Sequence, residues 1–216
     1  MVAQQRERSG RRGVLRVLAA VVAVVVALAV VVVVAVATLG VRVDGHSMQP
    51  TLLDGQRLLT APGSGGAVHR FDVVLLRPTG RDATVVKRVV GLPGDRVEIR
   101  AATDEPYQVL VQPGGAGAWY RVDFPAWAGQ AHRTSDCCTS DGTRTPVATA
   151  QTVPPGRFFF LGDNPDGSDD SRTFGWGQVS AVSGRVALRV WPLDVLGGLG
   201  AGPVLTAIPN PAEQSG

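Results

Sequence analysis

The sequence predicts a mainly β protein: an antiparallel β-sheet domain carrying a β-rich insertion, preceded by one N-terminal transmembrane helix. Three observations predict it. Among 216 residues, 27 are Gly and 15 are Pro, so short elements must alternate with many turns. One long apolar stretch near the N-terminus stands apart from everything after it. Beyond that stretch, short runs rich in β-branched residues recur between turn signals, with no convincing amphipathic helix and no internal repeat.

The helix comes first. From Val17 to Ala37 all 21 residues are apolar, which gives about 31 Å of helix, close to the hydrocarbon thickness of a bilayer. Arg8, Arg11, Arg12 and Arg16 precede it. The positive-inside tendency therefore predicts a cytoplasmic N-terminus and an extracytoplasmic remainder, a single-pass protein of the cell membrane. Ala35-Val36-Ala37 also resembles a cleavage site of small residues. The apolar run is longer than the usual ~7–15 residues of a removable leader, which favours a retained anchor. The expected organisation is a basic tail over 1–16, a span over 17–39, a β domain over 40–192 with an insertion or cap over 101–150, and a C-terminal tail over 193–216. Leu193 to Ile208 is too short and too broken by Gly and Pro to be a second span.

Charge and cysteine content exclude several classes. Residues 1–40 carry a net +4, whereas the rest holds 16 basic and 17 acidic residues, a net −1. The basicity belongs to the tail, so no nucleic acid is expected as a partner. The only cysteines, Cys137 and Cys138, are adjacent, which does not suit a metal site of usual ligand spacing. No metal and no cofactor is expected, and the redox state of the pair stays open.

Within the β domain, Arg70 to Leu76 reads as a strand, Thr84 to Val90 as another, Gly91-Leu92-Pro93-Gly94-Asp95 as a turn, and Arg96 to Arg100 as a third strand. Residues 101–150 have few long apolar runs, and regular patterning resumes at Gly156 to Leu161. Trp119, Tyr120, Phe124 and Trp127 suit either a bilayer interface or the core of the insertion, with the core favoured.

Lys87 is the only lysine; the other twenty basic residues are arginine. Arg keeps its proton at ordinary pH, whereas a desolvated Lys can lose it. Side chains alternate along a strand, so Val85 and Val89 share the Lys87 face and give it an apolar setting. Ser47 lies in Gly45-His46-Ser47-Met48-Gln49-Pro50-Thr51-Leu52, between turn formers that can expose its hydroxyl. His46 is a poor base for it, because neighbours in an extended segment point to opposite sides. His69 and His132 show no orienting acid nearby in sequence. A third polar segment, Gly162 to Arg172, leaves the apolar run Phe158 to Leu161, a usual place for site residues. Its spacing does not fit a calcium loop of the EF-hand pattern.

Ser47 in Ser-Met-x-Pro-Thr-Leu, Lys87 in Val-Lys-Arg-Val-Val-Gly-Leu-Pro-Gly-Asp, and Gly162-Asp163-Asn164 with Ser168 and Asp170-Ser171-Arg172 resemble, in order, the signature segments of type I signal peptidases. The resemblance covers about residues 14–192, weakly over 101–150. It implies a serine endopeptidase with Ser47 as nucleophile and Lys87 as general base, acting as a monomer on preprotein signal peptides at the membrane lipid. It implies that Ser168 orients the amine, that Asp163, Asp170, Arg172 and Arg88 brace the site, with Arg88 facing Asp163, and that Ser47 N–H stabilises the oxyanion. Some relatives add a hydroxyl two residues before the nucleophile; here that residue is Gly45, which leaves the second donor open. Met48 and Pro50 are candidates for shallow substrate pockets, with small residues expected at the first and third positions before the cut. Lysine at its usual pKa is only about 0.04% neutral at pH 7; lowering it by two to three units, roughly 3–4 kcal/mol, makes a usable base. Only nine residues separate Ala37 from Ser47, at most ~36 Å of chain, which keeps the serine near the membrane surface. Self-cleaving Ser–Lys proteases of the repressor type carry a DNA-binding domain where this chain has its apolar run. A membrane-anchored β domain that binds a partner without catalysis is the remaining alternative.

The anchor is tested by intact mass. A retained span requires that the mature protein keep the residues before Thr38; a chain beginning near Thr38 would show a removed leader instead.

Overall fold

In a computed structural model, residues 2–61, 67–102, 105–127, 137–138, 144–145 and 149–209 are described. The chain divides into two units, residues 1–40 and 41–216. The first contains one helix, α1, Val2–Leu39. Its stretch Gly13–Ala35 has a mean hydropathy of 3.5 and is long and apolar enough to cross a membrane.

The second unit is built from strands. In chain order they are β1 (Val41–Arg42), β2 (Arg57–Ala61), β3 (Val73–Leu76), β4 (Val85–Gly91) and β5 (Arg96–Ala102). β6 (Glu105–Gln112), β7 (Trp119–Asp123), β8 (Cys137–Cys138), β9 (Arg144–Thr145) and β10 (Gln151–Thr152) follow. The last are β11 (Arg157–Leu161), β12 (Gly177–Gln178), β13 (Val182–Trp191) and β14 (Val204–Ile208), with one short helix, α2 (Ser171–Phe174), between β11 and β12. A seven-stranded sheet has the order β1-β2-β13-β3-β4-β11-β12, and a five-stranded sheet the order β10-β5-β6-β7-β14. β8 pairs with β9 alone. The pairings are antiparallel, for example Val74 opposite Lys87 and Leu161 opposite Arg88. The protein is thus mainly antiparallel β with an N-terminal apolar helix.

Alternation along β11 explains why it occupies the middle of the core. Phe158 and Phe160 pack with Val74, Leu76, Val89 and Val182 on one face. Phe159 and Leu161 pack on the other with Val90, Val97, Ile99, Val109, Val111 and Val122, residues that join the two sheets. A strand buried on both faces reads as a continuous apolar run, as Phe158 to Leu161 does. The β4–β5 turn is held by Asp95, which is 3% exposed. Its carboxylate accepts from the N–H groups of Leu92 (2.5 Å) and Gly114 (2.9 Å) and pairs with Arg70 at 2.9 Å. Both oxygens of this buried carboxylate are thereby partnered.

The structure refines the expected elements. β3 starts at Val73 rather than Arg70, because Phe71 has a φ of 71° and Asp72 Oδ2 accepts from His69 N–H, which makes a turn of the approach. The stretch 101–150 is more regular than its composition suggests: β6 and β7 form the middle of the five-stranded sheet. The C-terminal tail also gives way to structure, since β14 closes that sheet against β7. Trp119, Phe124 and Trp127 are 4%, 9% and 6% exposed and belong to the core, the favoured of the two readings from sequence.

Gly91 sits where this core is tightest. A Cβ there would lie 2.6 Å from Val97 Cγ2 and 3.1 Å from Phe159 Cβ. Gly91→Ala should cost about 1–3 kcal/mol of stability through overpacking, measured by thermal unfolding of the detergent-solubilised chain.

Candidate active site

Three segments meet at the end of the central strands. β4 carries Lys87 and Arg88 as neighbours, and alternation sends them to opposite faces. Lys87 takes the side of Val85 and Val89, whereas Arg88 lies over the Phe124 ring at 5.1 Å. β11 ends beside Arg88 and releases the polar segment from Gly162 to Arg172. The loop between β1 and β2 brings Ser47 to that segment: Asn164 N–H donates to Ser47 O at 3.0 Å.

Ser47 and Lys87 line one cleft of about 270 Å³, together with His46, Arg81, Val85, Asp169 and Phe174. Lys87 is 2% exposed, and its Nζ donates to Ser168 Oγ at 3.1 Å. Burial pushes the amine down from 10.5 to about 8, against the opposing pull of Asp170 and Asp169. A larger open groove of about 460 Å³ around Arg77, Arg81, Thr84 and Ser183 contains neither Ser47 nor Lys87.

Two buried ion pairs frame the amine. Arg88 Nε and Nη2 donate to the two oxygens of Asp163 at 2.8 and 2.6 Å, and Arg88 Nη1 reaches Phe71 O at 3.0 Å. Arg172 Nε and Nη2 donate to the two oxygens of Asp170, both at 2.8 Å. Asp170 also accepts from Gly162 N–H at 3.0 Å and from Arg172 N–H at 3.2 Å, which caps α2. Such two-pronged pairs fix geometry as well as charge. Asp163 and Asp170 are both 0% exposed.

Gly162 is the position where a side chain is impossible. A Cβ there would overlap both Ser168 Oγ and the Ser47 carbonyl oxygen. The glycine lets the β11 exit, the serine loop and the lysine's partner share one small volume. Trp127 Nε1, in the short turn that follows β7, supports it by donating to Gly162 O at 3.3 Å.

Other candidates fall elsewhere. Met48 is 2% exposed and packs with Val43, Leu52, Leu58 and Val73, so it supports the serine loop from below rather than lining the cleft. Pro50 is exposed and also outside the cleft lining. His46 does line the cleft, but its Nδ1 accepts from Gln49 Nε2 at 2.9 Å. His69 does have an acid, Asp72 at 3.3 Å, yet it lies away from the Ser47 cleft. His132 falls outside the described residues. Gly45 has a φ of 96°, so its place is set by a left-handed backbone that a side chain would strain. Sequence reasoning did not single out Asn164, Arg81 or Phe174; the first stands in the polar segment it did mark.

Comparison with known proteins gives a consistent result. The family model described as signal peptidase, peptidase S26, matches residues 15–191. A signal peptidase I of Bacillus caldolyticus is 33% identical over 192 residues, 88% of this chain and 94% of that protein. Signal peptidase IB of Staphylococcus aureus strain COL is 30% identical, over 70% of this chain and 77% of its own. A solved signal peptidase I from Enterococcus faecalis V583 is 27% identical, covers 56% of this chain and 97% of its own, and has a TM-score of 0.38.

The buried amine makes stability depend on pH with a definite sign. Between pH about 8 and 10.5 the folded chain has released a proton that the unfolded chain keeps. Stability should therefore rise with pH across that window. Relative to Lys87→Met, the wild type should be less stable by roughly 3 kcal/mol below pH 8, with the gap closing toward pH 10.5. Denaturant unfolding of both proteins across pH 7 to 10.5 (about the range set by the two pKa values) checks this; parallel curves would contradict it.

Proposed function

The chain belongs to the signal peptidase family, peptidase S26, and on that premise we propose a membrane-anchored serine endopeptidase that removes signal peptides from exported preproteins. Ser47 is the nucleophile and neutral Lys87 its general base. The observation that carries the assignment is a buried amine, lowered to about 8, lining the same cleft as the serine hydroxyl.

The reaction runs on this chain's own groups. Lys87 Nζ takes the Ser47 hydroxyl proton as Oγ bonds to the scissile carbonyl carbon. The carbonyl oxygen becomes an oxyanion, and the Ser47 backbone N–H stabilises it. The Lys87 ammonium then gives its proton to the leaving amine, and the peptide C–N bond breaks. Water, deprotonated by the same amine, releases the acyl group from Ser47. Ser168 holds the amine in place through the 3.1 Å contact. The Arg88–Asp163 and Arg172–Asp170 pairs keep the loop after β11 in register with β4.

The apolar walls from Val85 and Phe174 suit an extended substrate with small side chains beside the cut. A substrate in the cleft excludes more water from Lys87 and lowers its pKa further. The arginines before the span favour a cytoplasmic N-terminus with the β unit outside, in contact with lipid. A monomer acting on preproteins, with no nucleic acid, metal or cofactor, accounts for these features.

The test is processing of a preprotein by the detergent-solubilised chain. Ser47→Ala should abolish the shortened product. Lys87→Arg should be nearly as damaging, because Arg keeps its proton, while His46→Ala should retain most of the rate. Turnover by Ser47→Ala, or a near-normal rate in Lys87→Arg, would remove the dyad from its role.

A further inference from the structure

The His46–Ser47 peptide unit carries an inference that rests on Ser47 being the nucleophile and goes beyond the dyad. A peptide unit is planar, with its C=O and N–H pointing in opposite directions. The His46 carbonyl and the Ser47 N–H belong to the same unit. Two donors converge on that carbonyl: Gln49 N–H at 3.1 Å and Asn164 Nδ2 at 3.1 Å. Among the described residues no acceptor takes the Ser47 N–H. The donor that must meet the oxyanion is therefore left open while its opposite end is gripped.

Asn164 grips the next carbonyl as well, through its own N–H to Ser47 O at 3.0 Å. One residue straddles the serine, its side chain on the preceding carbonyl and its main chain on the following one. Room for the amide is provided by Gly167, where a Cβ would lie 2.7 Å from Asn164 Nδ2. The peptide needs such a grip. Gly45, just before His46, has a φ of 96° and no side chain, and its N–H is held by Asp54 Oδ1 at 2.8 Å, so the chain is pinned before this unit by contacts that do not set the unit's own tilt. Gly45 also offers no hydroxyl to share the oxyanion, which puts the burden on the orientation of one N–H.

We propose that Asn164 is a positioning residue for the oxyanion donor: its side-chain amide sets the tilt of the His46–Ser47 peptide so that the Ser47 N–H faces the cleft. Donation to the carbonyl also polarises the unit and makes its N–H a stronger donor. The amide needs to touch neither substrate nor Lys87 to act.

The experiment uses the detergent-solubilised full chain and a peptide aldehyde carrying the residues before a signal-peptide cut. The Ser47 O–H adds across the aldehyde C=O: Oγ bonds to carbon, the π bond breaks, and the proton ends on the hemiacetal oxygen at the oxyanion position. In Asn164→Ala and Asn164→Asp, which removes the donor and presents an acceptor, aldehyde affinity and kcat should both fall about tenfold. KM for the preprotein, and the pH midpoint of the rate set by Lys87, should stay at wild-type values. Asn164→Gln, which keeps the donor on a longer stem, should recover part of the loss if the other two fold poorly. Wild-type aldehyde affinity in the variants would overturn the proposal. So would a shifted pH midpoint, or a loss confined to KM, because either marks Asn164 as a staple of the loop alone. Aldehyde binding, read by direct titration, that is unchanged in Ser47→Ala would instead overturn the nucleophile on which the proposal stands.

Discussion

An amine held where charge is expensive is the constraint on which the site depends. Lys87 lies on a central strand and is 2% exposed. Desolvation is the largest influence on it, and three carboxylates, Asp170, Asp169 and Asp163, oppose that influence. A bare carboxylate close by would hold the ammonium and defeat the purpose. The two buried ones are committed elsewhere: Asp163 to Arg88, and Asp170 to Arg172 and the Gly162 N–H. Their pairing weakens their pull while retaining their geometry, and the result is an amine near 8. That lies between a free lysine and one fully stripped of water, a range in which a proton can be both taken and returned.

The rest of the architecture serves to bring three distant segments into that position. β4 and β11 are neighbours in the sheet although about 70 residues apart in sequence. Their pairing sets Leu161 opposite Arg88, so the next residues after β11 emerge at the level of the lysine. Gly162 removes the side chain that would keep the serine loop away. Asp170 then folds the segment back by capping α2 and accepting from Gly162, which returns Ser168 to the amine. The segment just after β7 contributes from behind through Trp127 on Gly162 O and Phe124 under Arg88. The insertion is therefore structurally coupled to the site even though none of its described residues lines the cleft.

What could be read from sequence was what local rules govern. Alternation on β4 separates Lys87 from Arg88 and assigns each a setting, and the solitary lysine in an arginine-rich chain drew notice by composition alone. The turn at residues 91–95 and the buried run of β11 follow from residue type. Long-range pairing was not legible in this way. β14 becomes a strand because β7 offers it an edge, and nothing within Val204–Ile208 announces a partner more than 80 residues earlier. Met48 looked like a pocket residue through its place beside Ser47, yet the loop turns it inward against Leu52 and Leu58. In sequence Asn164 stands only as part of the polar segment Gly162 to Arg172, since an asparagine before proline carries no sign beyond turn chemistry. Its second role exists only once the serine loop arrives from residues 43–56.

In the proposed mechanism the same geometry explains why a lysine serves with a histidine next door. His46 is covalently adjacent to the proposed nucleophile, and the segment that carries both is a bend and turn rather than the extended stretch expected from sequence, so both residues border the cleft. Its ring turns to Gln49 at the exposed rim, where water competes for every hydrogen bond. Lysine has a long stem that can start from β4, in the same sheet as the strands flanking the serine loop, and enter the shared cleft from its buried side. Its usual affinity for a proton is too high, and only burial corrects it; arginine could not be corrected at all. The apolar strand that places the base is thus the same element that makes it a base. The oxyanion side follows a parallel economy. With a left-handed glycine at position 45, no hydroxyl is available from that residue, and in the proposed mechanism a main-chain N–H serves. A main-chain donor cannot be chosen by residue type, only aimed. Aiming requires contacts to the carbonyl behind it, and those contacts are what the loop after β11 supplies.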